Sequence, residues 1–184
     1  MEETIKSILK YIGEDSEREG LLETPKRVIK SWEEIFSGYK DDVSSIFKDF
    51  ENDGYDQLVM LKGIEMYSIC EHHMLPFFGK ASIAYIPNKR IIGISKLARL
   101  LNIYCRRLQI QERIGLQIVQ AIEKNLDPKG AACIIEAEHL CMKMRGANKQ
   151  NSTMITSSLS GVFKEDSQKG SASRNELMHF LYKV

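Results

Sequence analysis

Two short segments, Cys70-Glu71-His72-His73 and His139-Leu140-Cys141, lie far apart in the chain yet together offer the ligands of one metal ion, so any fold of this chain has to bring them together. A Cys-x-x-His pair can chelate one Zn2+ from a single turn, and a third protein ligand leaves the fourth tetrahedral position to water, which separates catalytic from structural zinc. Cys70, His73 and Cys141 are the expected ligands. Water on such a site has its pKa pulled down to roughly 7. His72 and His139 then stay free for proton transfer. Taken singly, each Cys or His is better read as filler, because free Cys behaves as a small buried hydrophobe. Their clustering is what points to a metal, and the long gap to Cys141 does not fit zinc-finger spacing. Spacing alone leaves inert packing and a structural zinc as alternatives.

Ala131 to Arg145 reads as one strand, in which alternate side chains share a face. His139, Cys141, Lys143 and Arg145 then lie on one surface, while Leu140, Met142 and Met144 turn the other way into packing. A ligand, a proton carrier and two cations side by side predict a metal centre beside a bound anion. That anion has to be held locally, since 26 basic against 25 acidic residues give a net charge of +1 and no global field favouring nucleic acid or an anionic membrane. No run approaches the ~20 apolar residues of a membrane span, and the amino terminus lacks the basic and apolar regions of a signal peptide. The expectation is a cytoplasmic protein with neither membrane nor nucleic-acid partner. Four cysteines with two given to metal fit a reducing compartment, and Cys105 and Cys133 read as packing.

The 184 residues suit one globular domain with a small helical appendage. Ile5, Ile8, Leu9 and Ile12 recur at helical spacing up to Gly13, and a second helix has Thr24 as N-cap, Pro25 at its first position and a stripe of Val28, Trp32, Ile35 and Phe36. Lys40 to Asp56 reads as an irregular connection, so residues 1–56 form a helical arm and connection and residues 57–184 the main domain. There, Gln57 to Met66 and Gly79 to Ile86 read as neighbouring antiparallel strands. Ser95 caps a helix with Leu97, Leu100, Leu101 and Tyr104 as its stripe, and a helix from about Gln109 carries Ile114, Ile118, Ala121 and Ile122. Ser152 to Ser160 reads as strand, Lys164 to Ser173 as a polar loop, and Ser173 with Glu176 as the capping box of a short final helix. The sum is an α+β fold with two consecutive helices on one face of an antiparallel sheet of about four strands. Its other face needs cover, from another subunit or from the amino-terminal arm.

The segments Cys70-Glu71-His72-His73, Gly93-Ile94-Ser95-Lys96-Leu97-Ala98-Arg99, Gln109-Ile110-Gln111-Glu112-Arg113 and His139-Leu140-Cys141-Met142-Lys143-Met144-Arg145-Gly146 together closely resemble GTP cyclohydrolase I. The match also takes in Thr24-Pro25-Lys26-Arg27-Val28 and runs in order to Arg174, nearly the whole chain. The Ser-Lys and Gln-Glu pieces are weak alone. Four motifs in order around a Cys-Glu-His-His turn are specific.

The resemblance implies the tunnelling fold, in which antiparallel sheets of several subunits join into a barrel, and a homo-oligomer, typically a decamer, with active sites between subunits. It implies conversion of GTP and water to formate and 7,8-dihydroneopterin triphosphate, the first step toward folate or tetrahydrobiopterin. One Zn2+ per subunit on Cys70, His73 and Cys141 agrees with the ligand chemistry above. Water would attack C8 of guanine, with His139 and His72 as the matched proton carriers. Glu112 matches the residue that accepts from guanine N1–H and the exocyclic amine, with Gln111 as a supporting polar contact. Lys96, Arg99 and Arg145 match triphosphate positions, Arg27 and Lys30 match positions delivered from an adjoining subunit, and Ser95 matches a position near the ribose and phosphates. Without the resemblance, Ser95 reads as a helix cap, Glu112 as a helix-surface carboxylate, and Arg27 and Lys30 as a solvated flank. The chain departs from the family pattern in its longer Lys164–Ser173 loop, at Leu177 where an aromatic is common, and at Ile114-Gly115.

A same-fold nitrile reductase would need a nucleophilic cysteine and a nicotinamide site but not this zinc triad, whereas a cyclohydrolase serving deazapurine synthesis would do the same chemistry on GTP. A non-catalytic zinc-stabilised GTP- or pterin-binding oligomer would close the metal to water and dispense with His72 and His139. The chain has both histidines and no evident fourth ligand.

Overall fold

The computed structural model describes residues 1–182. Its centre is a sheet whose two long members, β2 (Val59–Cys70) and β3 (Pro76–Ile86), pair antiparallel from Val59↔Tyr85 to Ile69↔Pro76. On the far side of β3 runs β6 (Gly130–His139), antiparallel from Ile86↔Gly130 to Phe77↔His139, and β7 (Met154–Leu159) closes that side. A two-residue strand, β5 (Leu108–Gln109), lies parallel to the end of β2, giving the order β5-β2-β3-β6-β7. The outer side of β7 and most of the outer side of β2 are thus sheet edges among the described residues.

Alternation divides the side chains of these strands into two sets. Phe77, Ala81, Ile83 and Tyr85 of β3, with Ala131, Cys133 and Ile135 of β6, face α3 (Ile94–Cys105) and α4 (Gln111–Leu126). Those helices bury Leu97, Leu100, Leu101, Ile114, Ile118 and Ile122, the stripes their spacing predicts. Cys105 and Cys133 are buried in this core as packing residues, and burial pushes the Cys105 thiol up to about 12. On the other face, Ala84, Ile86, Ala132 and Ile134 meet Val162 and Phe163 of a 3-10 turn and Leu177 and Leu181 of the last helix. That second core covers one end of the sheet. Toward the other end the face is open, with Tyr67 74% exposed and stacked on Phe78.

The amino-terminal helices α1 (Glu2–Tyr11) and α2 (Thr24–Ile35) pack on each other. The segment after α2 docks on the end of α3, where Gly38 N donates to Arg106 O at 3.1 Å and Arg107 Nε donates to Gly38 O at 3.0 Å. A Cβ on Gly38 would stand 2.1 Å from Ile103 O, so only glycine permits this approach. Within one chain the α2 stripe is only half covered, since Val28, Trp32 and Phe36 are partly buried and Ile35 is exposed.

Several boundaries differ from the sequence reading. The strand through Arg145 ends at His139, and residues Leu140–Lys143 form a helical turn, α5. Its partner β3 begins at Pro76, which has no N–H to give, so β6 has no ladder beyond Phe77↔His139. The connection Lys40–Asp56 contains β1 (Asp49–Glu51), paired with β4 (Arg90–Ile92) and fastened by Arg90 Nε donating to Asp49 Oδ2 at 2.6 Å. The last helix, α6, spans Gln168–Tyr182, so most of the expected polar loop is helical and Ser173 lies inside the helix. Ser167 is the capping group there, accepting from Gly170 N at 3.0 Å, and Gly170 lets the first turn press on Glu165 O. Ser95 does not cap α3, whose N-cap is Gly93, and α2 begins on Thr24 itself with Glu23 as its N-cap.

Candidate active site

β2 ends on Cys70, and the chain reverses in the next few residues to re-enter as β3. Met74 N donates back to Cys70 O and Cys70 N donates to Leu75 O, both at 2.9 Å, with Met74 in the left-handed region at φ 53°. This winding puts Cys70 Sγ 3.9 Å from Nδ1 of His73. α5 turns Cys141 back toward the same point, so that one ligand atom from each of Cys70, His73 and Cys141 lies within 4.8 Å of the others. Tetrahedral zinc with bonds of ~2.3 Å to sulfur and ~2.0 Å to nitrogen needs donors roughly 3.5–3.8 Å apart, so a small contraction would seat the ion. Burial and the neighbouring Cys70 push the Cys141 thiol up, because two adjacent thiolates repel without a cation. A divalent cation reverses that balance, and the paired thiols suit zinc.

Around these residues the structure gathers part of the expected set. His139, the last residue of β6, stacks on its cross-strand partner Phe77 with ring centroids 4.5 Å apart and planes 4° from parallel. Its Nε2 lies 2.9 Å from Oε1 of Gln111, the first residue of α4. Burial lowers the pKa of His139, and the nearby Glu112 carboxylate works in the opposite sense. His72 stands on the solvent side, 64% exposed, with Nδ1 3.9 Å from Cys70 Sγ. Arg145 also reaches the centre, its Nη1 3.4 Å from His73 Nε2. Lys143, expected on the same face, instead pairs with Glu138 at 2.5 Å.

The remaining expected residues lie elsewhere in the chain. α3 approaches the metal end by its carboxyl terminus, where Cys105 O accepts from Ser68 Oγ at 2.7 Å. Ser95 and Lys96 sit in its first turn, about 15 Å away along the helix axis at 1.5 Å per residue. Arg99 lines a separate depression with Asp41, Asp42 and Arg106. Arg27 and Lys30 are exposed on α2. One chain therefore joins Cys70, His73, Cys141, His72, His139, Gln111, Glu112 and Arg145, and leaves Ser95, Lys96, Arg99, Arg27 and Lys30 apart.

Two features of the site had not been singled out from the sequence. One is the stacking ring of Phe77. The other is a two-pronged ion pair in which Arg113 of α4 donates to both carboxylate oxygens of Glu71, the residue after Cys70; Nη2 meets Oε1 at 3.1 Å. Glu71 stood in the quoted metal turn and Arg113 in the Gln-Glu-Arg segment, but nothing in their spacing pairs them.

Comparison with known proteins gives the family. The family model for GTP cyclohydrolase I matches residues 1–179. GTP cyclohydrolase 1 of Wolinella succinogenes is 56% identical over 91% of this chain and 90% of its own length, and that of Leptospira biflexa 54% identical over 90% and 91%. The Parabacteroides distasonis protein of the same name is 47% identical over 96% of this chain and 88% of its own. Among solved structures, the apo form of an archaeosine synthase QueF-like protein overlays 56% of this chain and 93% of its own at 17% identity, with a TM-score of 0.45. The family model reaches from the first helix into the last, through both segments that carry Cys70, His73 and Cys141, and on that extent of match this chain belongs to the GTP cyclohydrolase I family.

Proposed function

We propose that this protein is a zinc-dependent GTP cyclohydrolase I, converting GTP and water to formate and 7,8-dihydroneopterin triphosphate. The observation that carries the reading is the convergence of Cys70, His73 and Cys141 beside the uncoordinated His139. One zinc ion per subunit would be held by those three side chains and would supply a Lewis acid and an activated water at neutral pH. His139 and His72 move protons at the purine ring. Burial favours the neutral form of His139, the form that can accept a proton and then return it. Glu112, at the start of α4, accepts from guanine N1–H and the exocyclic amine together, a pairing adenine does not offer. Gln111 supports it from inside the protein.

Arg145 is the cation already beside the metal ligands, and Lys96 and Arg99, with Ser95 near the ribose, bind the triphosphate from a second copy of the chain. Arg27 and Lys30 add to it across a further contact. This division fits a homo-oligomer, a decamer by resemblance, whose sheets join at their free edges into the barrel of the tunnelling fold and cover the open sheet face. It also fits a division of labour between an amino-terminal arm, residues 1–56, and a catalytic domain, residues 57–184. No helix among the described residues is long and apolar enough to cross a membrane, in keeping with a cytoplasmic enzyme acting on a free nucleotide.

The test is incubation of purified protein with GTP, with and without a chelator, following formate and the pterin fluorescence that develops after oxidation and dephosphorylation. Chelator-sensitive formation of both products is expected. Neither product from fully metallated oligomer would overturn the proposal. His139→Ala should keep zinc and GTP binding but release no formate, and unchanged turnover would remove His139 from the reaction.

A further inference from the structure

Gln111 is 1% exposed, and every hydrogen bond it makes is internal. Its Nε2 lies 3.0 Å from Ile135 O, 3.0 Å from Met154 O and 3.1 Å from Thr156 Oγ1. Two of those partners are main-chain carbonyls, which only accept, so the atom facing them must be the amide nitrogen. The orientation of this amide is thereby fixed by the chemistry of its surroundings. The amide oxygen has to face His139, and an oxygen of this kind only accepts. The hydrogen in the 2.9 Å contact therefore belongs to His139 Nε2.

We infer that Gln111 is a positioning residue for the cyclohydrolase reaction: it holds His139 as the Nε2–H tautomer, so that Nδ1 is the ring atom that takes and returns the substrate's proton. The inference rests on the proposed function for what His139 does, but the tautomer itself follows from the hydrogen-bond network alone. In the neutral ring Nε2 bears the hydrogen and Nδ1 the lone pair. In the cation both are protonated, yet Nε2 stays engaged with Gln111. The exchanging proton is thus at Nδ1 in both directions. Phe77, lying flat against one ring face, removes the remaining freedom to turn.

This gives Gln111 a different task from its neighbour. At the first turn of α4, Glu112 is the proposed guanine contact, while Gln111 points inward and ties that turn to β6 and β7. Guanine recognition and the choice of proton-bearing atom are set by consecutive residues, so a shift of α4 would disturb both.

Neutron diffraction from crystals of the zinc-loaded protein at neutral pH tests the tautomer without a variant and without turnover. Deuterium at His139 Nε2, aimed at Gln111 Oε1, is the expected result; deuterium at Nδ1 with Nε2 bare overturns the inference. Kinetics test the consequence. Gln111→Met keeps the length of the side chain and removes the acceptor, and it should lower kcat about a hundredfold, the low end of what a positioned acid–base contributes, with little change in KM. A raised KM at unchanged kcat would make Gln111 a guanine contact instead, and that result overturns the inference. Absence of formate release from wild-type protein that still carries deuterium at Nε2 would count against the proposed function and leave the tautomer standing.

Discussion

Breaking the Glu71–Arg113 pair should loosen the metal site without unfolding it. Glu71 lies between Cys70 and His72, and among the described residues its side chain is tied to the body of the protein by Arg113, with a 3.9 Å approach to His72 besides. The turn keeps its own main-chain bonds, Met74 N to Cys70 O, Cys70 N to Leu75 O and Glu71 N to Gln109 O, so the ligands remain near one another when the pair is lost. Outer-shell partners of metal ligands typically contribute 10- to 100-fold in affinity. Here the two side chains are 39% and 30% exposed, so solvent screens the pair and the effect belongs at the low end, about tenfold. The assay is competition for zinc against a chromophoric chelator, using Glu71→Ala, Arg113→Ala and the double variant, with circular dichroism to check the fold. Each single change should weaken zinc about tenfold, and the double should be no worse than either, since both remove one interaction. Unchanged affinity in the single variants, or losses that multiply in the double, would refute the reasoning. pH adds a second reading. Arg113 holds the Glu71 carboxyl below its ordinary range, so the clamp is fully present above the unfolded value of about 4.3 and is lost as pH falls through the lowered folded value. The difference in zinc retention between wild type and Arg113→Ala should therefore be constant near neutrality and close on acidification.

Other consequences can be checked separately. Cys141→Ala should lose zinc and formate release together, measured by metal analysis and product assay, and full zinc occupancy would refute its place in the ligand set. Glu112→Gln should lower kcat/KM for GTP by roughly ten- to a hundredfold, the equivalent of a lost hydrogen bond to a charged group, and narrow the preference for GTP over inosine triphosphate, which lacks the exocyclic amine. Phe163→Ala empties the centre of the smaller core on the second sheet face and should destabilise the protein by about 3–5 kcal/mol in chemical denaturation, with zinc affinity per folded subunit unchanged.

The parts of the fold legible in the sequence are those where one periodicity has one meaning. β2, β3, α3 and α4 fall where alternation or a helical stripe predicted them, because each buries its apolar side against the same core. Cys70, His73 and Cys141 were legible through chelate chemistry, which needs no knowledge of the path between them. α5 was not, because Leu140, Met142 and Met144 alternate with Cys141, Lys143 and Arg145 as they would in a strand. What ends the strand is Pro76 on a different element, a long-range fact with no local mark. The start of α6 was missed for a similar reason: Ser173 and Glu176 have capping-box spacing, but Ser167 and the close seat of Gly170 decide where the helix begins. The pairings Phe77–His139 and Glu71–Arg113 come from sheet register and helix placement, which one sequence does not encode by spacing.

The separation along α3 between the end near Cys70, His73 and Cys141 and the turn that carries Ser95 and Lys96 has a genetic counterpart. If the site is completed across copies, chains carrying Cys141→Ala and chains carrying Lys96→Ala, each inactive alone, fail at different halves of it. Assembled together, they would form some junctions in which both intact halves meet, so the mixture would recover part of the activity that neither parent has. Heterozygous defects at the two ends of α3 would then complement, whereas two defects at the same end would not.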